Sequence, residues 1–229
     1  MGCRGYFVTG TDTDCGKTEI TLGLMRRLQS SGYSVLGMKP IASGSEQTVD
    51  GLRNADALRI QQQASVCVDY ELVNPYAFAP PIAPHLAAAQ AGVEMDLGRI
   101  EACYRELARQ ADYVLVEGVG GWRVPLSSRF AVSDLAVALN LPVILVVGLR
   151  LGCINHGLLS AEAIEMAGAE LAGWVANLSD PSMREPRDNL ATLQQRIPAP
   201  LLGFIPHLDP PSPEAMVAAG LRMPDGGPT

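Results

Sequence analysis

The chain has 229 residues, of which 48% are hydrophobic and 18% are charged, and its formal net charge is -7. This apolar content supports a sizeable core and excludes an intrinsically disordered chain, and the length favours a single domain over residues 1–229 with a frayed tail from about residue 223. An acidic chain without basic runs is a poor binder of nucleic acids and anionic membranes, but it is compatible with a small anion held in one local pocket.

The cysteines and the apolar runs predict the compartment. The five cysteines are an odd number, widely spaced and without a CxxC pair, which argues against a disulfide framework and a zinc site. The first apolar stretch is too short for a signal peptide. The longest apolar run, residues 141–149, is about half as long as a membrane span. We therefore expect a cytoplasmic protein in a reducing environment.

Predicted strands and helices alternate along the chain. In chain order they are a strand at 6–10, a helix at 17–30, a strand at 34–41, helices at 54–64, 84–90 and 96–110, a strand at 113–117, a short helix at 133–139 capped by Ser133, a strand at 143–147, a helix at 152–167, a strand at 171–177, a helix at 183–197 and a strand at 201–205. Residues 44–53 and 74–84 are predicted to be irregular, and Ser212 followed by Pro213 predicts the start of a last helix.

This alternation predicts the fold class. Strands that are apolar on both faces and alternate with helices are typical of an α/β fold, in which helices cover both faces of a parallel sheet. Ligands of such folds bind beyond the carboxyl ends of the strands. The loops after residues 10, 41, 117, 147, 177 and 205 are therefore predicted to share one rim.

The loop between the first strand and the first helix has the composition of a phosphate-binding loop. Residues 10–18 are GTDTDCGKT. Glycines let backbone N–H groups turn toward phosphate oxygens, a lysine reaches the outer phosphates, and a threonine hydroxyl binds magnesium. Lys17 and Thr18 hold these positions, although the spacing between the glycines is one residue longer than the usual pattern. The alternative is a loop with an incidental Gly-Lys-Thr sequence.

Lysine is rare in this chain. Of its 17 lysines and arginines, only Lys17 and Lys39 are lysines, and arginine does not replace lysine as a compact point charge against phosphate. Lys39 lies near the end of an apolar strand, where an ammonium needs an anionic partner. That partner is either a triphosphate or, as the alternative, Asp56 or Glu117 in a structural ion pair.

A second apolar strand ends in a carboxylate. Residues 113–121 are YVLVEGVGG, the arrangement of a Walker-B strand, in which Glu117 binds magnesium directly or through water. Gly118, Gly120 and Gly121 would permit close approach of the backbone to a ligand. The alternatives are an ordinary strand end and a flexible turn.

Two further segments are ambiguous. Asp56 stands at the start of a predicted helix, where the helix dipole by itself favours an acid. Residues 151–156, LGCINH, follow a strand and open a helix, so that their free N–H groups are suited to a carboxylate, but a simple helix start explains them equally well. Cys153 has no predicted base beside it and is not expected to be a nucleophile, and the histidines show no metal-ligand spacing.

Taken together, the motifs resemble those of the dethiobiotin synthetases, a family of the P-loop NTPase superfamily. The segments GTDTDCGKT, KPIASGS, GLRNADA, NPYAFAPPIAPH, VEGVGGWRVPL, LPVILVVGLRLGCINH, GWVAN and PAPLLGFIPHL follow the family's order over roughly residues 5–210. Many nucleotide enzymes share the phosphate loop, whereas the combination of KPIASGS, VEGVGGW and LGCINH is far more specific.

The resemblance implies an ATP-dependent ligase of biotin biosynthesis. Such an enzyme carboxylates 7,8-diaminononanoate with CO2 and closes the ring to give dethiobiotin, ADP and phosphate. One amine captures CO2 as a carbamate, the carbamate attacks the γ-phosphate to form a carbamic-phosphoric anhydride, and the second amine expels phosphate. The resemblance also implies Mg2+ as the cofactor and a homodimer with its active sites at the interface.

The same resemblance implies residue roles. Lys17 and Lys39 would be catalytic, and Thr18, Asp56 and Glu117 would hold Mg2+. The nucleotide-binding residues would be Asp14, Cys15, Gly16, Lys17, Thr18, Glu19, Asp56, Glu117, Gly118, Val119, Gly120, Asn177, Pro206, His207 and Leu208. The substrate-binding residues would be Thr13, Ser43, Gly152, Cys153 and Asn155, with the last three reaching the site from a second subunit.

The chain departs from the family pattern at Asp14, where glutamate is expected, at Arg150, where lysine is expected, and from Asp209 on, where the match is weak. Two other classes share this nucleotide fold. Amidotransferase synthases need a further glutaminase domain, for which 229 residues leave no room. Partitioning ATPases carry an extra lysine at the beginning of the phosphate loop, and residues 10–16 contain none.

Overall fold

A computed structural model of the chain describes residues 3–224. Its elements, in chain order, are β1 (Arg4–Gly10), α1 (Lys17–Ser30), β2 (Val35–Met38), β3 (Ile41–Ser43), β4 (Glu46–Thr48), β5 (Gly51–Arg53), α2 (Ala55–Gln62), α3 (Tyr70–Val73), β6 (Tyr76–Phe78), α4 (Pro84–Gln90), α5 (Leu97–Ala108), β7 (Tyr113–Glu117), α6 (Val132–Leu139), β8 (Val143–Gly148), α7 (Cys153–Met166), β9 (Leu171–Asn177), α8 (Pro186–Arg196), β10 (Leu201–Ile205) and α9 (Pro213–Ala218).

The six strands predicted from the apolar runs form one parallel sheet. Its strand order is β10-β9-β8-β1-β7-β2, and every neighbouring pair is parallel. The bounds of β7, β9 and β10 agree with the prediction residue by residue, because unbroken apolar runs between polar segments mark strands buried on both faces. β1 lies between β7 and β8, so its carboxyl end opens into the crevice where the strand order reverses.

Helices cover both faces of this sheet. Right-handed crossovers place α1, which leads from β1 toward β2, on one face, and α7 and α8, which lead in the opposite direction, on the other. The contacts agree, since α1 packs against α2 and α9, whereas α5 packs against α6 and α7 packs against α8. The predicted α/β fold is therefore confirmed.

The strand predicted over residues 34–41 ends early because of a proline. β2 stops at Met38, and Pro40 has no N–H with which to continue the sheet. The chain turns away at this point: the Lys39 N–H donates to the Val73 carbonyl at 2.8 Å, and β3 pairs with β6 in a separate two-stranded sheet. Lys39 is thereby held at the carboxyl edge of the main sheet.

Three other local predictions were wrong. Residues 44–53 contain the antiparallel hairpin β4–β5, whose first strand is exposed and so lacks an apolar pattern. Residues 74–84, predicted to be irregular, contain β6. Ser133 lies inside α6, which is capped at Ala131, where the backbone N–H donates to the Asp134 carboxylate at 2.7 Å. The Ser212 cap is confirmed, because its hydroxyl accepts from the Ala215 N–H at 3.2 Å.

The last described residues pack against the sheet. Met223 is buried, and the Arg222 N–H donates to the Leu202 carbonyl at 2.8 Å, so the predicted fraying does not begin at residue 223. Residues 225–229 of the predicted tail lie outside the described residues. Between residues 3 and 224, none of the helices has the length and apolar character needed to cross a membrane.

Candidate functional site

A cavity of about 730 Å³ lies at the carboxyl edge of the sheet. The loops after β1, β2 and β7 line it, together with the start of α2 and the segment before α4. The lining residues are Thr13, Asp14, Gly16, Lys17, Thr18, Glu19, Lys39, Ala42, Ser43, Asn54, Asp56, Pro81, Ile82, Ala83, Pro84, Glu117, Val119, Gly120 and Val124. Pockets that hold small ligands and cofactors have volumes in this range, and three of the loops predicted to share a rim meet here.

The loop between β1 and α1 is held in a tight turn. Gly16 has a φ of 90°, and a side chain at this position would collide with the amide group of Asn177, so only glycine fits. Asn177 donates to the Cys15 carbonyl at 3.0 Å and ties the loop to the end of β9. Lys17 is buried, and its ammonium donates to the Asp12 carbonyl at 2.7 Å. The loop therefore presents an ammonium and the N-terminus of α1 to the cavity, a combination suited to phosphate.

The second lysine lies in an ion cluster. The Lys39 ammonium is 2.5 Å from one carboxylate oxygen of Glu117 and 3.4 Å from one of Asp56. The same Glu117 oxygen accepts from the Thr18 hydroxyl at 2.9 Å. Burial alone would lower the pKa of the Lys39 ammonium, but the two carboxylates raise that pKa above its ordinary value. Lys39 therefore carries its proton at neutral pH, and the ion pair that the sequence left open as an alternative is present.

Glu117 also has an oxygen without a partner. Its Oε2 atom is buried and makes no hydrogen bond, which is unfavourable unless a ligand satisfies it. Thr18 and Asp56 line the same cavity. Two carboxylates and a hydroxyl are hard oxygen donors of the kind that Mg2+ accepts together with phosphate oxygens and water. Because no three His, Cys, Asp or Glu side chains cluster as a metal site within the described chain, a divalent cation here would also need ligand oxygens.

An ion pair connects the two helices that carry Thr18 and Asp56. Arg59 of α2 donates to both carboxylate oxygens of Glu19 in α1, at 2.5 Å and 2.9 Å. These hydrogen bonds to the Glu19 carboxylate raise the pKa of the Arg59 guanidinium. Glu19, which the resemblance implied to bind nucleotide, lines the cavity, and its carboxylate pairs with Arg59, which holds α1 against α2.

Apolar residues also line the cavity and are called its apolar wall here. They are Ala42, Pro81, Ile82, Ala83, Pro84, Val119 and Val124. The hydroxyl of Ser43 lies beside this wall, buried and without a hydrogen-bond partner. Since buried hydroxyls are normally paired, Ser43 is available to a polar group of a ligand. The cavity thus combines anion-binding groups with an apolar surface.

The implied carboxylate-binding segment does not reach this cavity. Gly152 and Asn155 are exposed at the start of α7, and neither is among the lining residues. Cys153 is buried, its N–H donates to the Arg150 carbonyl at 3.0 Å, and burial raises the pKa of its thiol. An inert buried thiol agrees with the expectation that Cys153 is not a nucleophile.

The other implied nucleotide residues lie around the cavity at different depths. Gly118 is buried beside Phe7 and Val132, one residue before the part of the loop that lines the cavity. Pro206, His207 and Leu208 follow β10 at the same edge of the sheet as Asn177, outside the cavity lining.

The two departures from the family pattern have structural correlates. Asp14 has a φ of 58°, a left-handed conformation that aspartate tolerates better than most residues. The Arg150 guanidinium pairs with the carboxylate of Asp12, so it ties the loop after β8 to the phosphate loop. Both residues therefore help to shape the turn between β1 and α1.

Some residues of the site were not singled out from the sequence. Asn54 lines the cavity and caps α2, and its place in GLRNADA was the available signal. Val124 and residues 81–84 form the apolar wall. Apolar side chains form no recognisable catalytic or binding motif in a sequence, so only the folded arrangement of the loops shows that these residues line the cavity.

Comparison with known proteins identifies close relatives. A family model described as an AAA domain matches residues 4–215. The ATP-dependent dethiobiotin synthetase BioD of Pseudomonas aeruginosa strain PAO1 is 58% identical over 214 residues, which cover 93% of this chain and 94% of that protein. The ATP-dependent dethiobiotin synthetase BioD 1 of Escherichia coli K12 is 51% identical over 205 residues, which cover 90% and 91% of the two chains.

Two solved structures share the fold. A ParA family ATPase from Chlorobium tepidum has a TM-score of 0.55 and 15% identity, with 95% of this chain and 90% of that chain covered. The cell division protein MinD of Aquifex aeolicus has a TM-score of 0.53 and 17% identity, with 95% of each chain covered. At this level of identity the likeness concerns the fold alone, and it confirms a P-loop NTPase architecture.

We predict that Lys39→Met destabilises the protein because Glu117 then keeps a buried charge without a counterion. Breaking a buried pair in this way lowers the free energy of unfolding by about 3–5 kcal/mol. Adding Glu117→Gln to the same chain should restore part of that loss. Urea unfolding at constant m-value measures these differences. Arg59→Met, which breaks the partly exposed pair with Glu19, is the control and should cost about 1 kcal/mol or less. Equal stability of Lys39→Met and the unaltered protein would contradict the assignment.

Proposed function

The chain belongs to the family of ATP-dependent dethiobiotin synthetases, ligases of biotin biosynthesis, and from this membership we propose that its cavity closes the ureido ring of dethiobiotin. The proposed substrates are 7,8-diaminononanoate, CO2 and ATP, and the products are dethiobiotin, ADP and phosphate. One observation carries the proposal: Lys17 and Lys39 line the same cavity together with Thr18, Asp56 and Glu117. The apolar wall beside them suits the aliphatic chain of the substrate.

The phosphate loop is proposed to bind the triphosphate. Backbone N–H groups of the loop and of the first turn of α1 face an anion at this position, and Lys17 adds a positive charge. In this role Lys17 would exchange its hydrogen bond with the Asp12 carbonyl for phosphate oxygens. Asp14, Cys15, Gly16 and Glu19 complete the proposed nucleotide-binding segment, and Val119 and Gly120, which line the same cavity, are proposed to contact the nucleotide.

Thr18, Asp56 and Glu117 are proposed to hold Mg2+. The unpartnered Glu117 Oε2 atom supports this assignment, because a cation would satisfy it. Bound there, Mg2+ would neutralise part of the charge on the β- and γ-phosphates. The three side chains come from β7, α1 and the start of α2, and the Glu19–Arg59 ion pair keeps those two helices together.

The reaction brings two anions together, and Lys39 is proposed to make this possible. An amine of the substrate adds to CO2 and loses a proton to form a carbamate. A carbamate oxygen then attacks the γ-phosphorus, and ADP leaves. The protonated Lys39 lies where it can stabilise both the carbamate and the transferred phosphoryl group, and such preorganised charge lowers the barrier. The second amine attacks the carbonyl carbon of the anhydride, phosphate leaves, and the ring closes.

Other groups are proposed to orient the substrates. The unpaired hydroxyl of Ser43 and the exposed Thr13 border the cavity and suit the amines of the diamine. Gly118 supports the loop that carries Val119. Asn177 and the segment Pro206, His207 and Leu208 are proposed to surround adenine, which is supported by their position at the carboxyl ends of β9 and β10.

We also propose that the enzyme is a homodimer whose active sites lie at the interface. Gly152 and Asn155 are exposed outside the cavity lining. Leu151, just before α7, and Leu159 and Met166 within it are exposed apolar residues. Leu159 and Met166 share one face of the helix, and an apolar patch there would be suited to an interface. In the dimer, Gly152, Asn155 and the backbone around Cys153 would meet the carboxylate of the substrate bound by the other subunit. A single domain acting in the cytoplasm, where ATP is available, completes the proposal.

The reaction itself is predicted to be detected as a cyclic urea. Incubation of the protein with 7,8-diaminononanoate, bicarbonate and Mg-ATP should yield dethiobiotin by mass spectrometry and one phosphate per product. Lys39→Met should lower this turnover by about a hundredfold or more, because one stabiliser of the transferred charge is lost. ATP hydrolysis that does not depend on the diamine would contradict the proposed reaction, and full turnover of Lys39→Met would remove Lys39 from its mechanism.

Asp56→Asn is predicted to weaken the affinity of the site for Mg2+. Loss of one charged ligand should raise the Mg2+ concentration needed for half-maximal activity by about tenfold or more. The measurement is a Mg2+ titration at saturating ATP and diamine. Asp96→Asn, which removes a carboxylate at the start of another helix and retains a capping side chain, is the matched control. Identical titrations of the two variants would remove Asp56 from the metal site.

Mixing two inactive variants is predicted to restore activity if the sites span subunits. Lys39→Met disables the cavity, and Asn155→Ala disables the segment offered to the other subunit. Randomly exchanged dimers of the two variants should regain about a quarter of the original activity, since each mixed dimer contains one intact site. Activity after mixing, compared with each variant alone, measures the effect. No recovery after verified subunit exchange would place each site within one chain.

A further inference from the structure

The main chain of Lys39 is fixed by a neighbouring segment. After β2 leaves the sheet, the Lys39 N–H donates to the Val73 carbonyl at 2.8 Å. The Lys39 carbonyl accepts from the side-chain amide of Asn74 at 2.6 Å. The same amide donates to the Tyr76 carbonyl at 3.3 Å. Asn74 therefore fastens the backbone of Lys39 to the chain that enters β6.

A tyrosine hydroxyl connects Asn74 with the helix that carries Asp56. The Tyr70 hydroxyl donates to the Asn74 side-chain oxygen at 2.9 Å. It accepts from the backbone N–H of Asn54 at 2.8 Å. One oxygen atom thus joins the residue that caps α2 to the residue that follows α3.

Asn54 extends these contacts to two more site residues. Its side-chain oxygen accepts from the backbone N–H groups of Asp56 at 3.1 Å and Ala57 at 3.2 Å, which caps α2. Its side-chain nitrogen donates to the Ser43 carbonyl at 3.3 Å. Asn54 therefore positions the start of α2 and the strand that bears Ser43 at the same time.

The contacts close into a ring. It runs from the Lys39 carbonyl through Asn74, Tyr70 and Asn54 to Asp56, and returns through the Asp56 carboxylate, 3.4 Å from the Lys39 ammonium. Tyr70, Asn74 and Asn54 are only 6%, 3% and 7% exposed. Buried polar networks whose members are all paired are rigid and set one arrangement of the groups they join.

We propose that Tyr70 and Asn74 are positioning residues for ring closure, acting by fixing Lys39 relative to Asp56 and Ser43. This inference rests on the proposed function, because it takes the placement of Lys39 to limit the chemical step. Neither residue lines the cavity, so neither is expected to contact substrate. Their effect is on the geometry of the groups that do, and small errors in such geometry cost large factors in rate.

Tyr70→Phe tests the proposal because it removes the hydroxyl that joins Asn74 to Asn54 and preserves the aromatic side chain. Tyr76→Phe is a close control. Like Tyr70, Tyr76 is buried and has an arginine over its ring. Its hydroxyl accepts from the backbone N–H of Asp96, the residue before α5, at 2.9 Å, as the Tyr70 hydroxyl accepts from the residue before α2. The hydroxyl of Tyr76 has no contact with the hydrogen-bond ring described above.

The proposal predicts a split between the kinetic parameters. Tyr70→Phe should lower kcat for dethiobiotin by about tenfold or more while the KM for ATP changes little, because the loop that binds phosphate is untouched. Tyr76→Phe should retain kcat within about twofold even if its melting temperature falls equally. Asn74→Ala removes the hydrogen bond to the Lys39 carbonyl and should cause the same loss of kcat. This variant replaces Tyr70→Phe in the test if Tyr70→Phe does not fold.

Comparison with Lys39→Met and with the unaltered protein distinguishes the positioning role from the proposed function. If Lys39→Met is inactive while folded Tyr70→Phe and Asn74→Ala keep the original kcat, the positioning role is wrong and the proposed function stands. If both tyrosine variants lose kcat in parallel with their melting temperatures, the effect is general destabilisation and the positioning role is again wrong. If the unaltered protein forms no dethiobiotin, the proposed function itself fails. If Lys39→Met is fully active, Lys39 has no role in the reaction and the positioning role fails with it.

Discussion

The site depends on one buried ammonium and the two carboxylates around it. An unpaired ammonium at the end of an apolar strand would be too unfavourable to keep, and Glu117 and Asp56 resolve this for Lys39 at 2.5 Å and 3.4 Å. The same carboxylates, with the Thr18 hydroxyl, are donors suited to a divalent cation. The chain thus uses one set of acids to stabilise its fold and to equip its cavity. Because the same groups serve both purposes, removing one residue of the ion cluster is expected to affect both stability and catalysis.

Backbone geometry brings these groups together. β2 ends at Met38, and Pro40 releases the chain from the sheet directly after Lys39. β7, which lies between β1 and β2, ends at Glu117. The order of the strands places both residues beside the loop that follows β1. The site is therefore a product of the parallel topology and of one proline, and the Arg59–Glu19 pair then fixes the helices that complete it.

Patterns in the sequence predicted the parts of the structure that carry strong local signals. Unbroken apolar runs located β7, β9 and β10, and the sequence GTDTDCGKT located the turn before α1. The exposed hairpin β4–β5 and the short α3 lacked such a signal, because neither has an apolar face long enough to show a period. The pairing of Lys39 with two acids from distant segments remained one of two alternatives, since a sequence does not show which charges meet. The apolar wall and the ring through Tyr70 arise from tertiary packing and had no local mark, while the single-domain prediction remains a prediction.

The protonated state of Lys39 also bears on chemical selectivity. CO2 condenses with neutral amines, and a lysine that lost its proton beside a CO2-consuming site would itself become a carbamate. Glu117 and Asp56 raise the pKa of Lys39, and the other lysine, Lys17, is buried in the phosphate loop. With no further lysine in the sequence, the chain offers dissolved CO2 no exposed ε-amine. In the proposed reaction, the ion cluster that organises the site therefore also keeps the ε-amine of Lys39 protonated and unreactive toward CO2.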